Sequence, residues 1–252
     1  MTFLPGSVNL MVFETGIFGD FAIKTLILKA HQQTLEAFRL YPLFYGVILI
    51  PYMALFWYLG AMLEPVLKDP ATPFLIRFFL PMTQVIFDLV LFVAFLLALQ
   101  NLERGPQTFK QFLSKNLEPL ASEGLKAGAF TIIGTLLFVL PGIVLHLLFT
   151  FFPFVVVFDK TYADGNRSAL KRSVQLVKAH FFTVLAFALL DLTIPLLLIA
   201  GPKLLGADSQ IYQFFAYSFL FYFSGFSVMF FYGLYKSYEE KLCRSENDPA
   251  NS

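Results

Sequence analysis

The sequence LPGI, residues 140–143, lies within a long apolar run that spans residues 118–158. Segments rich in Lys and Arg flank this run on both sides. Because basic segments mark the cytoplasmic side of a membrane, the chain between them must cross the bilayer twice or re-enter it. Pro141 and Gly142 are therefore predicted to form a break between two membrane segments. Residues 119–158 then make two spans or a re-entrant hairpin, and one kinked helix through Pro141 is the remaining alternative.

The composition places the chain among integral membrane proteins. Hydrophobic residues make up 58% of the 252 residues, charged residues make up 14%, and the mean hydropathy is +0.70. A soluble domain of this composition would expose too much apolar surface to water. The net charge of +1 gives no electrostatic basis for binding nucleic acid. The predicted fold class is all-α, a polytopic bundle of membrane helices.

Apolar segments predict about six transmembrane helices, since a helix needs about 20 residues to cross the hydrocarbon core. The loops assigned to the outside hold only Lys68 and Lys203, whereas the segments assigned to the inside hold most other basic residues. This asymmetry predicts that both termini lie in the cytoplasm. The predicted spans are residues 41–63, 74–99, 119–140, 143–158, 181–200 and 211–235.

Three regions follow from this layout. Residues 1–40 form an N-terminal segment, in which the mixed polar and apolar pattern of residues 17–40 is typical of an amphipathic helix in the membrane interface. Residues 41–235 form the transmembrane bundle. Residues 236–252 form a polar cytoplasmic tail.

A second amphipathic pattern, strongly basic, covers residues 165–180. Leu170, Val174 and Val177 recur at helical spacing, and the basic residues lie mostly elsewhere around the helix. This pattern predicts a helix on the membrane surface, where each basic residue contributes about 1 kcal/mol near an anionic leaflet. The helix is either a topology anchor or a contact for lipid head groups or a partner. The predicted contact residues are Arg167, Lys171, Arg172 and Lys178.

The order of short motifs across residues 134–185 resembles that of a bacterial family. The motifs are LPGI at 140–143, PFVVV at 153–157, SALKRS at 168–173, and then Lys178. The resemblance is to the YciC-like inner-membrane proteins and to the membrane domain that accompanies some glycerophosphodiester phosphodiesterases. It implies a multi-pass protein of the bacterial plasma membrane. It implies no catalysis, because the phosphodiesterase activity of the fused relatives belongs to a separate soluble domain.

Polar residues within the predicted spans are the best candidates for chemistry. Asp88 and Asp191 fall near the middle of the second and fifth spans, and His146 lies inside the fourth. A charge at that depth costs at least about 2.5 kcal/mol, so each group should face the bundle interior or water, be paired, or be neutral. Gln84, one turn before Asp88, extends the polar stripe. These residues form either a proton or ion relay or a set of interhelical hydrogen bonds.

Other motifs are sparse. Gly124 and Gly128, one turn apart, are predicted to permit close helix packing. No phosphate-binding loop, metal-spaced His/Cys cluster or nucleophile-elbow Ser is present in the sequence. The sequence therefore predicts no enzyme activity, no metal site and no cofactor.

Together these patterns predict a non-enzymatic accessory or scaffold protein of the bacterial inner membrane, acting in envelope maintenance. Its predicted partners are anionic membrane lipids and either another membrane protein or a second copy of the chain. The alternative is a transporter or channel-like protein for a small solute, ion or lipid. That alternative would use Asp88, His146 and Asp191.

Overall fold

The structure is a computed structural model, and it describes residues 7–42, 45–47, 50–52, 54, 73–163, 165, 168–204 and 209–246. These residues form helices and short connections, with no strand among them, which confirms the all-α fold class. The helices are α1 (Ser7–Leu40), α2 (Phe74–Arg104), α3 (Phe109–Leu137), α4 (Val139–Leu148), α5 (Phe152–Phe158), α6 (Lys160–Ala163), α7 (Ala169–Ala179), α8 (Phe181–Leu204) and α9 (Gln210–Glu246).

Four segments within the described part of the chain are long and apolar enough to cross a membrane. They are Phe109–Leu137, Val139–Phe158, Phe181–Pro202 and Ile211–Leu242, and they overlap the third to sixth predicted spans. The second predicted span falls on α2, which is 31 residues long. The first, residues 41–63, lies largely outside the described residues. The chain is therefore a helical membrane protein with at least four helices able to span the bilayer.

Helices α3 and α4 form an antiparallel hairpin that turns at Phe138. The backbone of Phe138 is extended, with φ −159° and ψ 140°. On either side of it, the rings of Phe130 and Phe149 lie 6.3 Å apart. In one continuous helix these two residues would be separated by roughly 28 Å, at 1.5 Å per residue. The alternative of a single kinked helix through residues 119–158 is therefore wrong.

The break lies three residues before the predicted Pro141-Gly142 pair. Pro141 sits in the first turn of α4, where a missing N–H leaves no intrahelical hydrogen bond unmade. Gly142 serves a different purpose, because a Cβ at this position would lie 2.8 Å from the Cα of Thr135 on α3. The pair thus starts the second arm of the hairpin and lets the two arms approach, while Phe138 makes the turn.

The N-terminal helix α1 packs against α9 and α2. Its inner face is made of small residues, with Ala30, Thr34 and Ala37 almost fully buried. Leu28 and Leu35 instead point away from the protein and are 53% and 39% exposed. Small residues toward neighbouring helices and leucines outward is the arrangement typical of helices packed within lipid. An interfacial location for this helix stays a prediction.

Helix α5 is the buried centre of the bundle. Every residue from Pro153 to Phe158 is buried, and the Phe158 ring lies 4.5 Å from that of Tyr232 on α9. Arg104, at the end of α2, donates to the carbonyl oxygens of Val157 (3.1 Å) and Phe158 (2.5 Å). The guanidinium thereby satisfies the free carbonyls at the C-terminus of α5.

Helix α9 continues past the predicted end of the bundle. The sequence predicts a polar tail from residue 236, but the helix extends to Glu246. Lys236 within it forms an ion pair with Glu103 of α2, at 2.5 Å between Nζ and Oε2. Residues 236–246 are therefore a helical extension, and their first turn is joined to the bundle.

Candidate binding cavity

A cavity of about 750 Å³ lies between α2, α3, α4, α5, α8 and α9. Asp88 reaches it from α2, His146 from α4 and Asp191 from α8. These are the three intramembrane residues that the sequence singles out, and spacing along one chain could not place them together. Helix packing brings all three to the wall of a single cavity.

Asp88 lies near the middle of α2, among apolar residues. The hydroxyl of Tyr52 donates a hydrogen bond to its Oδ1 at 3.3 Å. Tyr52 belongs to the first predicted span and also lines the cavity. This contact satisfies one lone pair of the carboxyl group and leaves the group open to the cavity. The side chain of Gln84, one turn earlier, lies outside the described residues.

Asp191 has a corresponding arrangement on α8. The hydroxyl of Ser227, on α9, donates to Oδ1 of Asp191. Pro195, one turn after Asp191, also lines the cavity. Each carboxyl group is thus oriented by one hydroxyl from a neighbouring segment, an arrangement suited to holding a carboxyl oxygen toward a ligand.

His146 contributes the third titratable group that the sequence predicts. Its side chain is exposed and lines the cavity. The contact with Thr150 is made through the backbone, since the Thr150 hydroxyl donates to the His146 carbonyl oxygen at 3.4 Å. The imidazole of His146 therefore takes no part in the hydrogen bond with Thr150.

The wall formed by α3 is made of small residues, which explains where the space comes from. Gly124, Ala127, Gly128 and Thr131 recur on one face of this helix and line the cavity. A Cβ on Gly124 would make an ordinary contact of 3.6 Å with Phe152, but one on Gly128 would meet nothing within 4 Å. Among the described residues, the prediction that both glycines serve close packing is therefore wrong for Gly128, which instead leaves room.

The remaining lining is mainly aromatic and aliphatic. Neither Lys nor Arg occurs among the described lining residues. The cavity therefore combines two carboxyl groups and an imidazole with ring faces and small side chains, the usual mixture of a ligand pocket. The aromatic residues are Tyr52, Phe92, Phe149, Phe152, Phe154, Tyr217, Phe223 and Phe231.

The predicted contact residues of the basic segment, residues 165–180, do not all lie at the surface. Arg172 is 3% exposed, and its Nε lies 4.0 Å from Oδ2 of Asp159, which is also buried. Lys171 and Lys178 are exposed, and Arg167 lies outside the described residues. Only two of the four predicted contact residues are thus described at the surface.

Helix α7 rests on the protein through its apolar face. Leu170 and Val177 are buried in the bundle. The Ser173 hydroxyl donates to the Leu148 carbonyl oxygen at 2.8 Å and accepts from the Phe151 backbone N–H at 3.1 Å. These bonds fasten α7 to the connection between α4 and α5. The predicted apolar stripe is therefore a docking face toward protein.

The two hydroxyl partners of the cavity carboxyl groups, Tyr52 and Ser227, are not predicted from the sequence. Ser227 lies near the middle of α9, so the depth rule that selected Asp88 and Asp191 could have found it. Tyr52 lies at the middle of the first predicted span, so the same rule could have found it, but its pairing with Asp88, 36 residues away, could not be read from spacing along the chain. Among the described residues, no group of three or more His, Cys, Asp or Glu could hold a metal ion.

Fold and cavity together define the class: a multi-helix membrane protein with a partly open, mainly apolar cavity that carries two carboxyl groups and an imidazole. No protein-family model matches the chain, no curated protein matches it, and no solved structure matches it.

Proposed function

We propose that this chain binds a small molecule in its central cavity and passes it through the membrane, as a transporter or channel-like protein. The observation that carries the proposal is the convergence of Asp88, His146 and Asp191 on one cavity of about 750 Å³. Polar or ionisable residues at membrane depth cluster where a substrate or proton passes. From the sequence alone, this function is the alternative to an accessory or scaffold role.

Interhelical hydrogen bonding alone explains why Asp88 and Asp191 have partners, but it does not explain the open space beside them. Side chains that merely join helices need a partner but no open space between them. Here the hydroxyls of Tyr52 and Ser227 supply the partners, and the open volume beside Gly128 adjoins them. Room, titratable groups and aromatic surface in one place support ligand binding.

The number of membrane passes and the side on which the termini lie are also part of this proposal. Four apolar helices, together with α2 and the segment at residues 41–63, support six passes with both termini in the cytoplasm. The α3–α4 hairpin supplies two spans or a re-entrant pair. We assign the protein to the bacterial inner membrane and to the YciC-like family on the motif order given above.

The cavity is tested with a neutral fluorescent probe, N-phenyl-1-naphthylamine, titrated into the full chain in detergent. The Gly128→Phe variant fills the open space. The control, Gly201→Phe, adds the same ring on α8, where a Cβ would meet no described atom within 4 Å and which is outside the described cavity lining. We expect saturable binding to the wild type and to Gly201→Phe, weakened at least about tenfold in Gly128→Phe. Equal binding by both variants, or none by the wild type, contradicts the proposal.

A second candidate, a lipid-binding accessory or scaffold protein, is favoured by one surface. Lys171, Gln175 and Lys178 are exposed at helical spacing on α7, while the opposite face is docked. The two amines could hold an anionic head group, as the sequence predicts for this segment.

Mass spectrometry of co-purified lipids tests this second candidate. The K171Q/K178Q variant should lose anionic lipid, and the K110Q variant, altered at an exposed residue of α3, should keep it. Unchanged lipid content in K171Q/K178Q contradicts this candidate.

A further inference from the structure

The charge of the cavity wall restricts the kind of molecule that fits it. Among the described residues that line the cavity, the acidic side chains are Asp88 and Asp191, and no Lys or Arg offsets them. The other titratable groups that face the space are Tyr52, His146 and Tyr217. A ligand that enters with a positive charge therefore meets two carboxyl groups and no fixed cation.

Aromatic rings surround the same space. They come from α2, α5, α9, the connection before α5 and the segment that holds Tyr52, and include Phe92, Phe154 and Phe223. The face of an aromatic ring carries partial negative charge and attracts a cation, most strongly where water is excluded. The same rings bury the apolar parts of a ligand. An inorganic ion would use the carboxyl groups and the ring faces but has no apolar part to bury against this surface.

The two hydroxyl contacts leave the carboxyl groups usable. Tyr52 donates to one oxygen of Asp88, and Ser227 donates to one oxygen of Asp191. A carboxylate has two oxygens and about four sites that accept hydrogen bonds. Each group therefore retains acceptor capacity toward the cavity after its hydroxyl partner is counted.

Extending the proposed function on which this inference rests, we infer that the cavity binds a hydrophobic organic cation, held by Asp88 and Asp191 through charge and by the surrounding rings through apolar contact. Binding replaces a proton by the organic cation wherever the carboxyl group is protonated. The cation enters, and each such carboxyl group that pairs with it gives up its proton to water. No bond other than O–H is broken, and no co-reactant is needed.

The experiment compares two probes of the same shape and opposite charge, tetraphenylphosphonium and tetraphenylborate. Each is titrated calorimetrically into the full chain in detergent, with Asp88→Asn/Asp191→Asn, the charge-retaining Asp88→Glu/Asp191→Glu, and Glu240→Gln as variants. Glu240 is an exposed acid on α9 outside the cavity. Circular dichroism and size-exclusion elution establish that each variant is folded.

The expected result is saturable binding of the cation to the wild type, weakened at least about tenfold by the Asn pair, kept by Glu240→Gln and largely restored by the Glu pair. Tetraphenylborate should bind at least about tenfold more weakly than the cation. Equal binding of both probes, or cation binding unaffected by the Asn pair, overturns the inference. If the inference is overturned in this way but the neutral naphthylamine still binds and Gly128→Phe weakens that binding, the proposed function survives. If neither the naphthylamine nor tetraphenylphosphonium binds the wild type, the inference and the proposed function both fail.

Discussion

Arg172 and Asp159 face each other in the protein interior, with their side chains 3% and 5% exposed and the Arg172 Nε 4.0 Å from the Asp159 Oδ2. The neighbouring Lys171 is exposed. The contact joins α7 to the end of α5, the buried centre of the bundle. One of two adjacent basic residues is therefore structural, and the other remains available to the surroundings.

This difference predicts unequal effects of two neighbouring substitutions. Arg172→Ala leaves Asp159 buried without its guanidinium and should destabilise the protein by about 3–5 kcal/mol. Lys171→Ala, at the surface, should change stability by no more than about 0.5 kcal/mol. Denaturant unfolding in detergent, followed by circular dichroism, measures both. Equal stability of the two variants would show that the buried pair does not hold α7 in place.

The hairpin predicts a steric requirement at Gly142. A Cβ there would lie 2.8 Å from the Thr135 Cα, so Gly142→Ala must push α3 and α4 apart. The expected cost is about 1–3 kcal/mol, the usual range for overpacking. Gly201→Ala is the control, because its Cβ meets open space, and it should be neutral or slightly stabilising. If Gly142→Ala is as stable as Gly201→Ala, the close approach of the two helices is contradicted.

His180, between α7 and α8, predicts a dependence of stability on pH. Its ring stacks on that of Tyr238, with centroids 3.8 Å apart and planes inclined by 14°. Burial, together with the positive charge of Lys241, lowers the pKa of His180 below its ordinary value. The unfolded chain, with a pKa of about 6.5, then binds the proton more readily than the folded one. Stability contributed by neutral His180 is present above about pH 6.5 and is lost as the pH falls through the folded-state pKa.

The variant His180→Phe keeps a ring over Tyr238 and removes the titration. Melting temperatures of wild type and variant, measured in detergent between about pH 5 and pH 8, should diverge on the acidic side, with the wild type falling more steeply. Parallel curves would mean that His180 titrates alike in the folded and unfolded chains.

The proton exchange in the cavity predicts a separate pH effect on binding. A carboxyl group that carries a proton has no negative charge with which to hold a cation. Proton and organic cation therefore compete for Asp88 and Asp191. Affinity for tetraphenylphosphonium should rise with pH in the wild type, and calorimetry in two buffers of different ionisation enthalpy should detect proton release. Binding that is independent of pH and releases no proton contradicts the competition.

Sequence patterns predicted the features of this protein that depend on composition and depth. Apolar runs located the helices, and the rarity of acids in such runs selected Asp88 and Asp191. The sequence predicts the turn at Pro141 and not at Phe138, because proline is a strong local signal, whereas the extended backbone of Phe138 accompanies the close packing of Gly134 against Gly142. Burial of Arg172 escaped prediction since its partner Asp159 reaches it only through the docking of α7.

The cavity itself could not be predicted, because empty space is a property of several helices at once. Gly128 has the sequence signature of close packing, yet in the part of the chain that the structure describes nothing lies within 4 Å of where its Cβ would be. Whether such a glycine touches a neighbouring helix or leaves a void depends on the placement of α2, α8 and α9. Local spacing carries no information on that placement.

The most direct test of the account asks whether water-soluble reagents reach the middle of α9 through the cavity. In a Cys243→Ser background, Ser224→Cys places a thiol on the cavity wall, and Phe219→Cys places one at an exposed site on the same helix that does not line it. In membranes, a membrane-impermeant maleimide should label Ser224→Cys at least about tenfold faster than Phe219→Cys, because a thiolate forms in water and not in lipid. Failure to label Ser224→Cys, or equal rates at the two sites, would contradict an aqueous cavity and the function proposed for it.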